Sequence, residues 1–266
     1  MRENVIGQVR TLTLTYGQPW EWLRLGWQDF LRAPWLGLAH GLAVDAFGLA
    51  LLIIAWDKFW IMAGAITAFL TVAPVIAVGL YAVSRALERN EPVNIMLIVR
   101  TWLSWRGKPH HDCRLVRFGL LLCLSGVGWV LTSAALITLL STEPVNQPMD
   151  FLRYIVLARN NYLFEAWLIL GGALAAPVFA STVVTLPLLL DRKIPILDAV
   201  LVSWKVVMQN PQAMALWAAL IMLTTMMGAL ALIGSAIVIP VLGHASWHAY
   251  RGSVDASQLP ARVPES

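Results

Sequence analysis

Charged side chains are scarce: Asp, Glu, Lys and Arg make up 13% of the 266 residues, about half the share of an average soluble domain. A water-soluble fold of this size cannot coat itself with so few, which excludes ordinary globular and disordered solvated chains. Cysteine is scarcer still. Of the two, Cys113 falls in a loop and Cys123 inside an apolar helix, too far apart to bridge, so no disulfide framework is implied. The sequence also lacks a phosphate-binding loop, a nucleophile elbow, a dinucleotide fingerprint and a zinc signature. The formal charge of +4 does not indicate nucleic acid. The basic residues sit between apolar blocks, where they orient a chain in a bilayer.

What is abundant is apolar residues, 59% of the chain, gathered in runs long enough to cross roughly 30 Å of hydrocarbon. The fold class expected is all-α, a polytopic membrane protein with six spans over about 35–56, 59–83, 119–140, 163–190, 213–232 and 234–250. Residues 1–33 are polar and carry Arg2, Arg10, Arg24 and Arg32, so no cleavable signal peptide is expected there. Six spans place both termini on one side. That side would carry 16 Lys and Arg, against only Lys58, Arg153 and Arg159 opposite, which predicts cytoplasmic termini. Most of the 13 tryptophans then fall near the two interfaces as an aromatic belt, Trp22 and Trp247 among them.

The chain also repeats itself. Trp27 and Pro34, Trp102 and Pro109, and Trp204 and Pro211 each enclose six residues and precede an outward span. Pro74, Leu87, Glu88, Arg89 and Pro92 recur as Pro177, Leu190, Asp191, Arg192 and Pro195, all displaced by 103 positions. A shorter third copy aligns Pro240 and Arg251 with Pro74 and Arg85. The expected unit is an amphipathic interfacial segment, a Pro at the first turn of an outward helix, and a return helix kinked at its own Pro. Three such hairpins, about 27–83, 102–190 and 204–250, run in the same direction. They form a membrane domain over 21–251, flanked by a flexible tail at 1–20 and a disordered tail at 252–266. The alternation from Thr11 to Tyr16 suggests a short strand with nothing to pair with.

Several stretches resemble the DUF2189 family of bacterial integral membrane proteins of unknown function. They are Leu186-Pro187 through Asp191-Arg192-Lys193, Trp204 through Asn210-Pro211 to Ile221, and Ile239-Pro240 through His244, Trp247, His248 and Tyr250-Arg251. Gly26-Trp27 and Val78 through Gly79, Tyr81 and Arg85 to Glu88-Arg89 extend the similarity to roughly residues 20–252. The resemblance implies a bacterial inner membrane and no defined activity.

Few residues are candidates for chemistry. His244 and His248 stand four apart on one helical face, and His40 enters the first span from the same side. Three imidazoles at one depth suit a metal or haem site, or else interhelical hydrogen bonding. No carboxylate stands near His244 and His248 in sequence to orient them. Asp45 is the ionisable residue near the middle of a span, one turn past Gly37 and Gly41, which would let another helix approach. It reads either as part of a proton or cation pathway or as a hydrogen-bonded packing residue. His110 and His111, beside Arg106, Lys108, Arg114 and Arg117, either meet anionic headgroups or are solvated. Glu143, Asp150, Arg153 and Arg159 mark a long outer loop.

With no base and nucleophile at a readable spacing, the leading expectation is a non-enzymatic structural, assembly or partner-binding protein of the inner membrane. Its partners would be the lipid bilayer and another membrane protein, with no nucleic acid. A permease or channel for a small or protonatable solute comes second, and a metal- or haem-linked respiratory accessory protein third. No cofactor is required by the sequence.

Overall fold

A computed structural model describes residues 6–103, 114–158, 162–230 and 234–262. Pro109 of the repeat motif, the pair His110 and His111 with Arg106 and Lys108, Cys113, and Arg159 lie outside the described residues.

The described residues are all-α apart from one two-stranded ribbon and an isolated bridge. In order it forms β1 (Arg10–Thr11), α1 (Gln18–Arg32), α2 (Pro34–Ala55), α3 (Phe59–Ile76), α4 (Val78–Glu88), α5 (Ile95–Leu103) and α6 (Arg114–Leu140). There follow α7 (Pro148–Phe151) with a π-turn over Leu152–Val156, α8 (Leu163–Thr182), α9 (Thr185–Asp191), α10 (Ile196–Gln209), α11 (Pro211–Leu230), α12 (Ser235–Ser253) and β2 (Val254–Asp255).

Among the described residues, five helical stretches are long and apolar enough to cross a membrane: Pro34–Ala55, Phe59–Glu88, Leu115–Leu140, Leu163–Asp191 and Pro211–Leu230. The sixth expected span forms α12, which falls outside that class. Its sequence is diluted by Ser, His and Arg, and the positions that bury include His244, Trp247, Tyr250 and Ser253 beside Ala236, Leu242 and Ala245.

Proline punctuates the helices as expected at the starts of α2 and α11. The residue before a proline is pushed out of the α region. Ala33 stands at φ −134°, ψ 54° before Pro34, and Asn210 at φ −130°, ψ 52° before Pro211. Each amphipathic helix therefore ends in the same bend, and the next begins on a proline whose missing N–H costs nothing. The return helices differ from expectation, because their interruptions lie beyond Pro74 and Pro177 rather than at them. One sits at Ala77 and the other at Val183 and Val184. At the second, the Val184 N–H leaves the helix and donates to Ser203 Oγ at 3.2 Å. Helix α12 runs unbroken through Pro240.

The chain divides into two compact units. The first comprises Met1–Asp45, Pro74–Phe118 and Phe179–Ser266, and α12 is its hub. A Cβ on Gly26 of α1 would lie 2.6 Å from the Ala245 amide nitrogen, and one on Gly41 of α2 only 2.1 Å from the Ala236 carbonyl oxygen. That carbonyl is the one Pro240 leaves without an N–H partner, so the bare glycine backbone comes up against it. The small-residue face of Gly37 and Gly41 is thus occupied by α12. Helix α1 does not lie free at an interface: Trp22, Gly26 and Phe30 are buried, and Trp22 meets Trp217 edge-on at 5.6 Å. Trp22 and Trp247, 2% and 1% exposed, are core residues rather than members of a belt.

Both tails are ordered where they are described, contrary to the flexible segments expected. Arg10 pairs with Asp255 and Thr11 with Val254 in an antiparallel ribbon, and the Leu12 amide donates to Ser253 O at 2.9 Å. The alternating segment therefore finds its edge at the opposite end of the chain. Beyond β2, Leu259 is buried and Ala261 bridges to Arg192.

The second unit comprises Ala46–Ala73 and Gly119–Val178. It is closed by Phe59, Ile137, Val145, Ile155 and Leu163, with Phe151 and Trp167 packed against them. The Trp167 indole N–H donates to Ser133 Oγ at 2.7 Å. The loop after α6 is held at its turn into α7, where the Asp150 carboxylate accepts from the Asn146 and Gln147 amides.

Candidate functional site

The first unit holds a polar centre built where α4, α9 and α12 end. Helix α4 ends in a Schellman motif. Asn90 takes the left-handed conformation at φ 54°, the Asn90 amide donates to Leu87 O, and the Glu91 amide donates to Ala86 O. This stop sets Glu88 and Arg89 at the rim of the helix end. Helix α9 ends at Asp191 because Arg192 is already extended, at φ −129°, ψ 155°, to pair with Ala261.

Asp191, 2% exposed, is the hub. Its carboxylate accepts from Arg89 at 2.9 Å, from Arg192 at 3.0 Å and from the Tyr250 hydroxyl at 2.9 Å. The Arg262 amide donates to its backbone carbonyl at 2.8 Å. Glu88 takes the Trp247 indole N–H at 2.9 Å and the Arg251 guanidinium at 2.8 Å. Arg85, 4% exposed, donates to Leu190 O at 2.9 Å. Glu88 with Arg89 and Asp191 with Arg192, singled out by their equal displacement, are therefore brought into one network. Buried charges are tolerated when paired and hydrogen-bonded in this way.

A second layer involves the histidines. His248 Nε2 donates to Asp29 Oδ2 at 2.8 Å, across 219 residues of sequence. Ser84 Oγ stands 2.8 Å from His244 Nδ1. The orienting groups missing from the local sequence are thus supplied by α1 and α4. Burial opposes the charge of Asp29, but the hydrogen bonds from His248 and then Ser84 outweigh it and hold the carboxyl below its ordinary value. His40, half-buried on α2, has its Nδ1 3.1 Å from Leu36 O. The structure does not gather His40, His244 and His248 into one ligand set. Among the described residues no group of three or more His, Cys, Asp or Glu side chains is placed to hold a metal ion. His244 Nε2 is fully buried with no hydrogen-bond partner.

The other candidates are placed as follows. Asp45 is half-buried and makes no hydrogen bond or ion pair among the described residues. Trp27 is 44% exposed and stacks on Phe30 at 5.5 Å. The Trp204 indole donates to Ser181 Oγ at 2.9 Å, and Trp102 lies on α5 beside Gly79. Sequence reasoning did not reach Asp29, Ser84 or Tyr250. Asp29 and Ser84 carried one available signal, a polar residue on the apolar face of an amphipathic helix and a hydroxyl within an otherwise apolar run.

No curated protein and no solved structure matches the chain. Residues 61–191 match the family model DUF2189, described as a predicted integral membrane protein, the same family that the motifs of this sequence resemble.

Proposed function

We propose that the protein is a non-enzymatic integral membrane protein whose polar centre is an internal clamp and whose exposed spans contact lipid and a partner membrane protein. The observation that carries this reading is where the charges go. Glu88, Arg89, Asp191 and Arg192 are engaged with one another, with α12 and with the C-terminal segment. Meanwhile the most apolar stretches of Pro34–Ala55 and Phe59–Glu88 are only 11% buried, which leaves wide apolar faces to be covered by lipid or a partner helix.

Six crossings with both termini in the cytoplasm fit this reading. The pairing of β1 with β2 supports both ends lying on one side, which asks for an even number of crossings. Helix α12 supplies the sixth, its polar groups met by Ser84 and Asp191. The excess of basic residues in the loops of that side supports its being the cytoplasmic one. The matching bends at Ala33 and Asn210 favour descent of the hairpins from one repeated unit.

The test is a photocrosslinking amino acid at Ile53 or Leu131, 71% and 65% exposed, in the native membrane. A discrete protein adduct supports the partner-binding reading. Adducts to lipid alone at both positions refute it. A permease is the second reading, favoured by the unpartnered Asp45 within α2. Proton exchange by proteoliposomes of the parent but not of Asp45→Asn would put it first.

A further inference from the structure

A cleft of about 840 Å³ opens where the β1–β2 ribbon lies against α10. Its volume is that of a site for one small organic ligand, roughly 300–1,000 Å³. Two cations line it, Arg10 on β1 and Lys205 on α10, and neither makes an ion pair among the described residues. The carboxylate in the lining is Asp255, across the ribbon from Arg10 and already accepting from the Ser257 amide at 3.0 Å. Two cations against one carboxylate leave the cleft with a net positive charge. Its other polar side chains are neutral, and those of Gln8, Thr13 and Gln258 make no hydrogen bond among the described residues. The Thr11 hydroxyl donates to Gln209 Oε1, which leaves the Gln209 side-chain N–H groups free to donate.

The depth of the cleft follows from α11. With 20 residues, α11 is about 30 Å long, the thickness of the hydrocarbon core, so Pro211 stands at the edge of that core. Gln209 is two residues ahead of it, within about 7 Å along the chain, and the headgroup layer is roughly 5–8 Å deep on each face. Free donors and a positive charge therefore stand at the level of the lipid phosphates. Beside them α10 turns an apolar stripe outward: Leu197, Leu201 and Met208 are exposed, with Lys205 on the same face between them. A polar, positive cleft next to an apolar ridge suits an amphiphile better than a free anion.

We propose that this cleft holds the headgroup of one anionic phospholipid, a phosphodiester bearing an uncharged hydroxylated group, with its acyl chains along Leu201 and Met208. Arg10 and Lys205 take the phosphate oxygens through charge-assisted hydrogen bonds, and the free glutamine and threonine side chains take the headgroup hydroxyls. One net positive charge matches one phosphodiester anion. A zwitterionic headgroup would bring a further cation to Lys205 and Arg10. The inference rests on α11 crossing the bilayer and is independent of any partner protein.

The experiment is native mass spectrometry of the full-length protein in detergent, titrated with phosphatidylglycerol or phosphatidylcholine of equal chain length. The parent should hold one phosphatidylglycerol at least about tenfold more tightly than phosphatidylcholine. Arg10→Gln and Lys205→Gln should each weaken that binding by about fivefold. Arg117→Gln, an exposed cation of α6 outside the cleft, should change it by no more than about twofold. Lys205 makes no hydrogen bond within the fold among the described residues, so its variant decides should Arg10→Gln loosen the ribbon. The proposal is overturned if the two lipids are held equally, or if Arg10→Gln/Lys205→Gln retains phosphatidylglycerol as the parent does. It is also overturned if inorganic phosphate displaces the lipid, which would make the cleft a site for a soluble anion.

Discussion

Arg89 reaches from the end of α4 to the Asp191 carboxylate at the end of α9, 2.9 Å away, so that it bonds the counterpart of its neighbour Glu88 rather than its own counterpart, Arg192. Asp191 is the more buried of the two, and its other oxygen is taken by Tyr250 and Arg192. Removing the carboxylate therefore leaves a phenol and two guanidinium groups without their acceptor. Asp191→Ala is expected to destabilise the protein by about 3–5 kcal/mol, read as a lower midpoint of thermal unfolding in detergent. Tyr250→Phe, which deletes one donor to a charged group, should cost about 1.5–3 kcal/mol.

Asp29 gives the fold an acid limit. Its folded carboxyl titrates below its ordinary value because His248 and Ser84 favour the charged form over the opposing effect of burial. The stability this contributes is fully present above the ordinary carboxylate value, about pH 4. It is lost as the pH falls through the lower value of the folded state. Unfolding midpoints measured from neutral pH downward should drop below about pH 4 for the parent. The drop should be smaller for Asp29→Asn, which starts less stable at neutral pH.

Close approach of α2 to α12 depends on a missing side chain. A Cβ at Gly41 would sit 2.1 Å from the Ala236 carbonyl oxygen, a backbone atom that cannot swing aside, whereas one at Gly48 would meet nothing within 4 Å. Gly41→Ala should therefore destabilise by about 1–3 kcal/mol, with Gly48→Ala neutral or slightly stabilising. Paired thermal melts of the two variants distinguish helix propensity from contact.

Asn210 does more than end α10. Its side chain accepts from the Leu14 amide at 2.8 Å and donates to Leu12 O at 3.1 Å, pinning the N-terminal segment from nearly 200 residues away. Asn210→Ala leaves that amide without its acceptor, at a cost of about 1–3 kcal/mol. Hydrogen exchange at Leu14 should accelerate more than at the amides of α11, which keep their own ladder.

Helices and their starts were legible because their signals are local. A run of apolar residues has the length of a bilayer, and Pro34 and Pro211 dictate the bend of the residue ahead of them. The role of Glu88, Arg89, Asp191 and Arg192 was legible in part, since their equal spacing marked them without naming their partners. Pairing was not legible. His248 meets Asp29 and His244 meets Ser84 across 219 and 160 residues, and no periodicity carries information over such separations. The two-residue strand Val254–Asp255 was too short to stand out from its Ser- and Ala-containing surroundings. Helix α12 looked like one more span because its apolar residues outnumber its polar ones, although its interior face is where the polar ones bury.

The ribbon between Arg10–Thr11 and Val254–Asp255 sets an order in time. A ribosome delivers the second strand some 240 residues after the first, a delay on the order of 10–50 s at ordinary elongation rates. Throughout that interval every membrane helix can insert while the leading segment has no mate. Its closure therefore waits until every helix between the two strands has been made.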